Sequence, residues 1–205
     1  MKMDLQAVYD GFADTYEESR GLFDMSEVLE SFYQRLGAEA GDLLDLGCGA
    51  GEPFGRYFVD RGWSVVGVDF SARMLELAAR YVPEMQTIHS DMRTVEFEPA
   101  QFDAVTAVYS LFHVPAAEHP ALFEKFRRWL RPGGKVLFTY ATREYTGCDE
   151  FDGFKEFLGK QLYYSHRTPE HLVSDLEYAG LAVESLDYRD IGGEIFLWVT
   201  ACRPL

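Results

Sequence analysis

Residues 43–51 read Leu-Leu-Asp-Leu-Gly-Cys-Gly-Ala-Gly, and no other stretch narrows the choice of folds as much. A short apolar run that does not alternate with polar residues fits a strand buried on both faces. Gly47, Gly49 and Gly51 then remove every second side chain from the turn that follows. Glycine permits positive φ and lets a ligand or another segment touch the backbone. Next comes PFGRYFVDRG, with Phe54, Tyr57, Phe58 and Arg61 at helical spacing and Gly62 as the stop. Strand, glycine turn and helix form the opening unit of a doubly wound sheet, whose ligands bind beyond the carboxyl ends of the strands.

The pattern continues. SVVGVDF (64–70) reads as a second strand, and Ser71 can cap a helix whose Met74, Leu77, Ala78 and Tyr81 share one stripe. MQTIHS (85–90) and FDAVTAVYS (102–110) give a third and a fourth strand. PALFEKFRRWL is a helix that stops at Pro132-Gly133-Gly134, and KVLFTYAT (135–142) is a fifth strand. Thr168-Pro169 opens a last helix that runs through Tyr178. LAVESLDYRD and EIFLWVTACRP are separated only by Ile191, Gly192 and Gly193, a connection that predicts an antiparallel hairpin. The expected fold is α/β, a mostly parallel sheet with one antiparallel strand and helices on both faces. Two aromatic-rich segments fall outside the alternation, a helical 1–41 and the insert 143–166. Phe151, Phe154 and Phe157 in the insert have the spacing of a buried helix face, and with Tyr145 suit an apolar lid.

A chain of 205 residues, 47% of them hydrophobic, fits one domain with an extension or insert. No apolar run is long enough to span a bilayer, and the first 20 residues lack a signal-peptide core, so a cytoplasmic protein without membrane contact is expected. Cys48, Cys148 and Cys202 are odd in number and far apart, which fits neither a disulfide framework nor a metal clip. His89, His119 and His171 do not converge with acids at metal-ligand spacing, so no metal is expected. With 34 acids against 19 bases the net charge is −15, which disfavours nucleic-acid partners. The one dense basic cluster, Lys125 to Lys135, suits the C-terminal end of a helix.

The glycine turn departs from the dinucleotide fingerprint, because Glu52 stands where a third spaced glycine is expected. An acid there repels a pyrophosphate but tolerates a phosphate-free, positively charged ligand. Asp69, at the end of the second strand and 22 residues after Gly47, can accept both hydroxyls of a ribose. Asp91 can accept from an adenine amino group, and Met92 can pack on the ring.

In this order, LLDLGCGAG, VVGVDFS, SDM, FDAVTAVYSLFHV and LRPGGKVLF resemble the class I S-adenosylmethionine-dependent methyltransferases. YDGFADTY near the N-terminus resembles the helix that closes over the cofactor in small-molecule members. The resemblance implies one methyltransferase domain over 1–205, with 1–41 as a cap and 143–166 on the substrate side. It implies a Rossmann-like seven-stranded sheet with an antiparallel last strand. It also implies S-adenosylmethionine as cofactor and S-adenosylhomocysteine as product. By the same resemblance, Asp45, Gly47, Gly49 and Gly51 line the methionine end of the cofactor. Asp69 holds the ribose between Phe70 and Met74, while Asp91 and Met92 meet the adenine. Tyr109 and Ser110 face the reacting methyl, Tyr16 covers the cofactor, and Cys48 is a small residue of the loop.

An in-line methyl transfer mainly needs a nucleophile held close and aimed. A base is required only where the acceptor must lose a proton. His113, just after the fourth strand, is the first candidate for that base; its bland reading is packing within its loop. His166, beside Tyr163 and Tyr164, is the second; its bland reading is a helix cap near Thr168. Cys48 at a helix N-terminus is a candidate reactive thiol or a packing residue. YSLFHVP after the fourth strand lacks the acid or Asn with Pro-Pro of exocyclic-amine DNA methylation, and no Pro-Cys nucleophile is present. The expected partner is a small-molecule acceptor, for a monomer or homodimer. A non-catalytic S-adenosylmethionine binder, an aminopropyl transferase and an NAD enzyme stand as alternatives.

Overall fold

The computed structural model describes residues 5–11, 13 and 23–205. Seven strands form one sheet in the order β3-β2-β1-β4-β5-β9-β8. They are β1 (Asp42–Leu46), β2 (Ser64–Asp69), β3 (Gln86–His89), β4 (Phe102–Ala107), β5 (Leu130–Tyr140), β8 (Ala182–Ile191) and β9 (Glu194–Cys202). Strands β1 to β5 pair in parallel, with Asp42 opposite Ser64 and Asp45 opposite Thr106. β9 runs antiparallel to both of its neighbours, β5 and β8. The connection between β8 and β9 is the pair Gly192-Gly193, both at positive φ, and Ile191 belongs to the strand.

Chain order reverses between β1 and β4, so the carboxyl ends of those two strands border a crevice. Leu43, Leu44, Asp45 and Leu46 are all buried, as a strand covered on both faces requires. Helices α2 (Ser26–Leu36), α3 (Phe54–Val59) and α4 (Ala72–Tyr81) cover one face. Their Leu29, Phe32, Phe58 and Ala78 pack on Leu43, Val65 and Ala104. Helices α5 (His119–Trp129) and α7 (Pro169–Tyr178) cover the other, where Phe123, Phe126 and Leu176 meet Val105, Phe138 and Val199. Each fully buried Leu, Val or Phe among them contributes roughly 1.5–3 kcal/mol of transfer free energy. Helix α1 (Leu5–Asp10) stands apart from these layers, near the start of α4.

Two expectations are corrected. Pro132-Gly133-Gly134 does not separate helix from strand; α5 ends at Trp129 and β5 starts at Leu130. The three residues bulge out of the strand, so the register jumps from Phe102–Leu130 to Ala104–Lys135. The insert is not a lid helix. After a single turn, α6 (Arg143–Thr146), it forms a separate two-stranded sheet of β6 (Phe151–Phe157) and β7 (Lys160–His166). Alternation across the pleat turns Phe151 and Phe157 inward and leaves Asp152, Phe154 and Glu156 outward. The turn is Leu158-Gly159, both at positive φ, a geometry that joins two strands and cannot continue a helix. Leu162 and Tyr164 of β7 anchor the hairpin on Phe112 and Phe196.

Candidate functional site

The glycine turn is shaped by three different demands. Gly47 has φ +71°, and a Cβ there would stand 2.3 Å from Cβ of Ser110. Gly51 has φ +82°, and its Cβ would meet Met85 and Val82 at 2.9 Å, so this glycine serves packing of helix on sheet. Gly49, at φ +52°, has nothing nearer than Met74 Sδ at 3.9 Å; side-chain space there is left open. The turn is fixed from the neighbouring strands. Gly47 and Cys48 both donate to the Val68 carbonyl, at 2.7 and 3.1 Å. The Ser110 hydroxyl donates to the Leu46 carbonyl at 2.7 Å.

Asp69 closes the turn. One carboxylate oxygen accepts from Gly49 N at 2.9 Å and the other from Ser71 N at 2.8 Å. Burial pushes Asp69 up to about 6 despite those two bonds, with Asp10 adding to the rise. Asp45, one strand over, is also pushed up to about 6, by burial and by Asp69, against a 2.7 Å hydrogen bond from the Thr106 hydroxyl. The two carboxyls are only 4% and 8% exposed, and no Lys or Arg among the described residues forms an ion pair with either. Burial and the same two acids push the Cys48 thiol up, so it stays protonated and packs.

In front of the turn lies a cavity of about 1140 Å³, more than the roughly 300–1,000 Å³ of a common small-ligand site. The carboxyl ends of β1, β2, β3 and β4 supply Gly47, Gly49, Asp69, Phe70, Asp91, Met92, Tyr109 and Ser110 to its wall, and the first turn of α4 supplies Met74. Hydrogen bonds from Arg93 outweigh the burial of Asp91 and hold its carboxyl below the usual range. Arg93 is in turn shared with Glu118, at 3.4 Å. Tyr109 takes the left-handed region, φ +52°, with its N–H on Thr139 Oγ1 at 2.6 Å. Such backbone strain at a side chain of this size costs of order 1–3 kcal/mol and collects at functional positions. The remaining wall comes from α1, the turn after β4 and the β6–β7 hairpin, including Tyr9, His113, Pro115, Asp152, Phe154 and Tyr163.

His113 is held at both ring nitrogens. Nδ1 lies 2.6 Å from the Tyr163 carbonyl, which can only accept, so Nδ1 carries the proton. Nε2 is therefore the acceptor, and the Tyr9 hydroxyl donates to it at 2.9 Å. Burial pushes His113 down to about 4, partly offset by the Tyr163 carbonyl. The imidazole is therefore neutral at the cavity wall with its lone pair on a phenol hydroxyl, within reach of a proton but weakly basic. Tyr9 also packs edge-on against Phe70 at 5.6 Å, and Asp10 accepts from the Ser71 hydroxyl and from Arg73 N. Those contacts tie α1 across the cavity mouth.

Several expected residues stand elsewhere. His166 is not in the wall; it is 1% exposed, with Nδ1 on the Arg167 carbonyl at 3.1 Å and Nε2 2.8 Å from the Thr146 hydroxyl. Strand alternation groups it with Leu162 and Tyr164 on the inward face, opposite to Tyr163. Asp45, Cys48 and Gly51 lie behind the wall, while Tyr16 lies outside the described residues. Of the four aromatics suited to a lid, only Phe154 reaches this cavity. Tyr9 and Asp152 were not legible as site residues; the first pairs with a histidine 104 positions away, and the second depends on the hairpin. Among the described residues no group of His, Cys, Asp or Glu is arranged to hold a metal, and no helix is long and apolar enough to cross a membrane.

Residues 43–134 match the profile of the methyltransferase domain family, which covers the glycine turn, Asp69, Asp91 and β4. That stretch is a methyltransferase domain of the class I, S-adenosylmethionine-dependent kind. Among its relatives in that family is phosphoethanolamine N-methyltransferase 1 of Triticum aestivum, 27% identical over 89% of this chain and 34% of that protein. The 2-phytyl-1,4-naphtoquinone methyltransferase of Trichormus variabilis is 32% identical over 66% of this chain and 64% of its own length. The chain thus spans about a third of the length of the plant phosphoethanolamine methyltransferases it matches. The Burkholderia thailandensis 1,6-didemethyltoxoflavin-N1-methyltransferase, solved with its acceptor and S-adenosylhomocysteine, superposes with a TM-score of 0.71 at 20% identity. That match covers 97% of this chain and 88% of that one, and establishes a common methyltransferase fold.

Proposed function

We propose that this methyltransferase binds S-adenosylmethionine along the glycine turn and transfers its methyl group in line to a small-molecule acceptor held under the β6–β7 hairpin. The observation that carries the reading is the buried pair Asp45 and Asp69, two carboxyls beside the glycine turn without a Lys or Arg partner among the described residues. Such a pair suits a ligand that brings positive charge and no phosphate. S-adenosylmethionine meets that description, and when bound it supplies an electrophilic methyl on a sulfonium. A dinucleotide would set its pyrophosphate against these acids and Glu52.

Within this reading, Asp69 accepts from the ribose hydroxyls while its backbone bonds to Gly49 and Ser71 fix its aim. Phe70 and Met92 offer apolar surface to the nucleoside, with Asp91 at its edge. Tyr9, drawn over Phe70, excludes water from the reacting end. Alignment of the two reactants then supplies roughly 7–11 kcal/mol of the barrier reduction. An acceptor that must lose a proton passes it to His113 Nε2, directly or through the Tyr9 hydroxyl.

Thermal unfolding with S-adenosylhomocysteine, S-adenosylmethionine and NAD tests the cofactor. A ligand at about 100 times its Kd adds about 2.7 kcal/mol, which in a chain of this size raises Tm by roughly 5–10 °C. The two sulfur nucleosides should give that shift and NAD none, and Asp69→Ala should abolish it. No shift with either nucleoside overturns the assignment. A shift without methylated product in an acceptor screen followed by mass spectrometry favours a non-catalytic binder.

A further inference from the structure

The acceptor end of the cavity carries a charge pattern of its own. Asp152 is exposed on the outward face of β6, close enough to Tyr163 to add to the rise in phenol pKa that burial causes there, and Phe154 meets the Tyr163 ring edge-on at 5.8 Å. Phe154 is 49% exposed, a large aromatic at the mouth of a cavity. A carboxylate beside an exposed aromatic ring is an arrangement that recognises an organic cation, through charge and through the ring quadrupole. Among the described residues no comparable side-chain provision exists for an anion. Arg93 is the only Lys or Arg among the described residues in the cavity wall, and its guanidinium already holds Asp91 at 2.6 Å and Glu118 at 3.4 Å. Lys155, the cation of the hairpin itself, points to its other face, where it donates to the Tyr145 carbonyl and lies 4.4 Å from the Tyr145 ring centroid. A phosphomonoester dianion needs free Arg or Lys donors or unpaired backbone N–H groups.

From this juxtaposition we infer that the acceptor is an amine, protonated in water and attached to an apolar body, whose ammonium group sits against Asp152 and the exposed ring of Phe154, beside Tyr163. Phosphorylated acceptors, of the kind the plant relatives' names indicate, are disfavoured. The inference rests on the cofactor reading above, since the acceptor site is the part of the same cavity that the cofactor leaves open.

The test uses the full chain saturated with S-adenosylhomocysteine and one apolar body in three forms: 2-phenylethylamine, 2-phenylethanol and 2-phenylethyl phosphate. Titration calorimetry first records binding of the nucleoside and then of each probe. The amine should bind about tenfold more tightly than the alcohol, and the phosphate most weakly. Asp152→Asn should remove the amine's advantage while leaving the alcohol unchanged; Asp152 is exposed, so folding is not at stake. Phosphate binding equal to the amine, amine binding unchanged in Asp152→Asn, or no binding of any probe overturns the acceptor inference and leaves the cofactor reading in place. Failure of S-adenosylhomocysteine to bind overturns both.

Discussion

Asp45 and Asp69 are both pushed up to about 6, so the free protein holds protons there that the unfolded chain has already released. Between about pH 3.8 and 6 the folded state therefore binds more protons, and stability falls as pH rises through that window. A rise of about two pKa units amounts to about 3 kcal/mol per acid. Asp45→Asn keeps the shape and an acceptor for the Thr106 hydroxyl while deleting one buried charge. Its Tm should exceed that of the wild type at pH 8, with the gap closing by pH 4. Binding of a cationic nucleoside should weaken as pH falls through about 6, where the two acids protonate. His113 behaves in the opposite sense. Its depressed value of about 4 leaves it unprotonated across the neutral range. If it is the base, the acid limb of kcat/KM assigned to it lies near 4 and not near the ordinary 6.5. His113→Gln should cost roughly 10²-fold or more in kcat with an acceptor that loses a proton. Tyr9→Phe should cost less, because Nε2 remains free to accept.

The glycine turn and the hairpin differ in how they can be read. The turn is local. Gly47 must be glycine because its own φ and the neighbouring Ser110 Cβ leave no room. Gly47→Ala adds strain of about 1–2 kcal/mol for the left-handed backbone and about 1–3 kcal/mol for overpacking. Urea unfolding should register both; Ser110→Gly in the same chain should restore only the packing part. Strands β1, β2 and β4 were legible for the same reason, since continuous apolar runs between amphipathic helices carry their own period. Asp69 was legible because its distance from the turn is set by one strand-helix-strand unit. The hairpin was not. Phe151, Phe154 and Phe157 satisfy helical spacing as well as they satisfy half of a strand. What decides between them is pairing with β7 and the positive φ of Leu158 and Gly159, neither of which shows as periodicity. Once β7 is a strand, His166 turns inward and Tyr163 outward, so one unread element misplaced a candidate catalyst and hid Asp152. Tyr9 was hidden differently, because nothing near it in the chain marks a partner as distant as His113.

Across the whole molecule the net charge of −15 surrounds a cavity whose wall holds Asp69, Asp91 and Asp152. A field of that sign gathers cations and slows anions on approach. With an amine acceptor, kcat/KM should fall severalfold as salt rises from about 0.02 to about 0.2 M, as the screening length shrinks from roughly 20 Å to about 7 Å. An uncharged acceptor should show no such dependence, and stopped-time assays on the pair separate the two. The sheet also assigns its two ends different duties. The turn after β1 and the ends of β2 and β3 are built into the main-chain ladder, so a change there disturbs the seven-stranded sheet. The β6–β7 hairpin has no ladder to that sheet and rests on it through the side chains of Leu162 and Tyr164. It enters after β5 and leaves before α7 as one contiguous cassette. With the acceptor held under the hairpin, as we propose, descent with modification can rewrite its outward face, or exchange it outright, and select new acceptors while the nucleoside half is inherited intact.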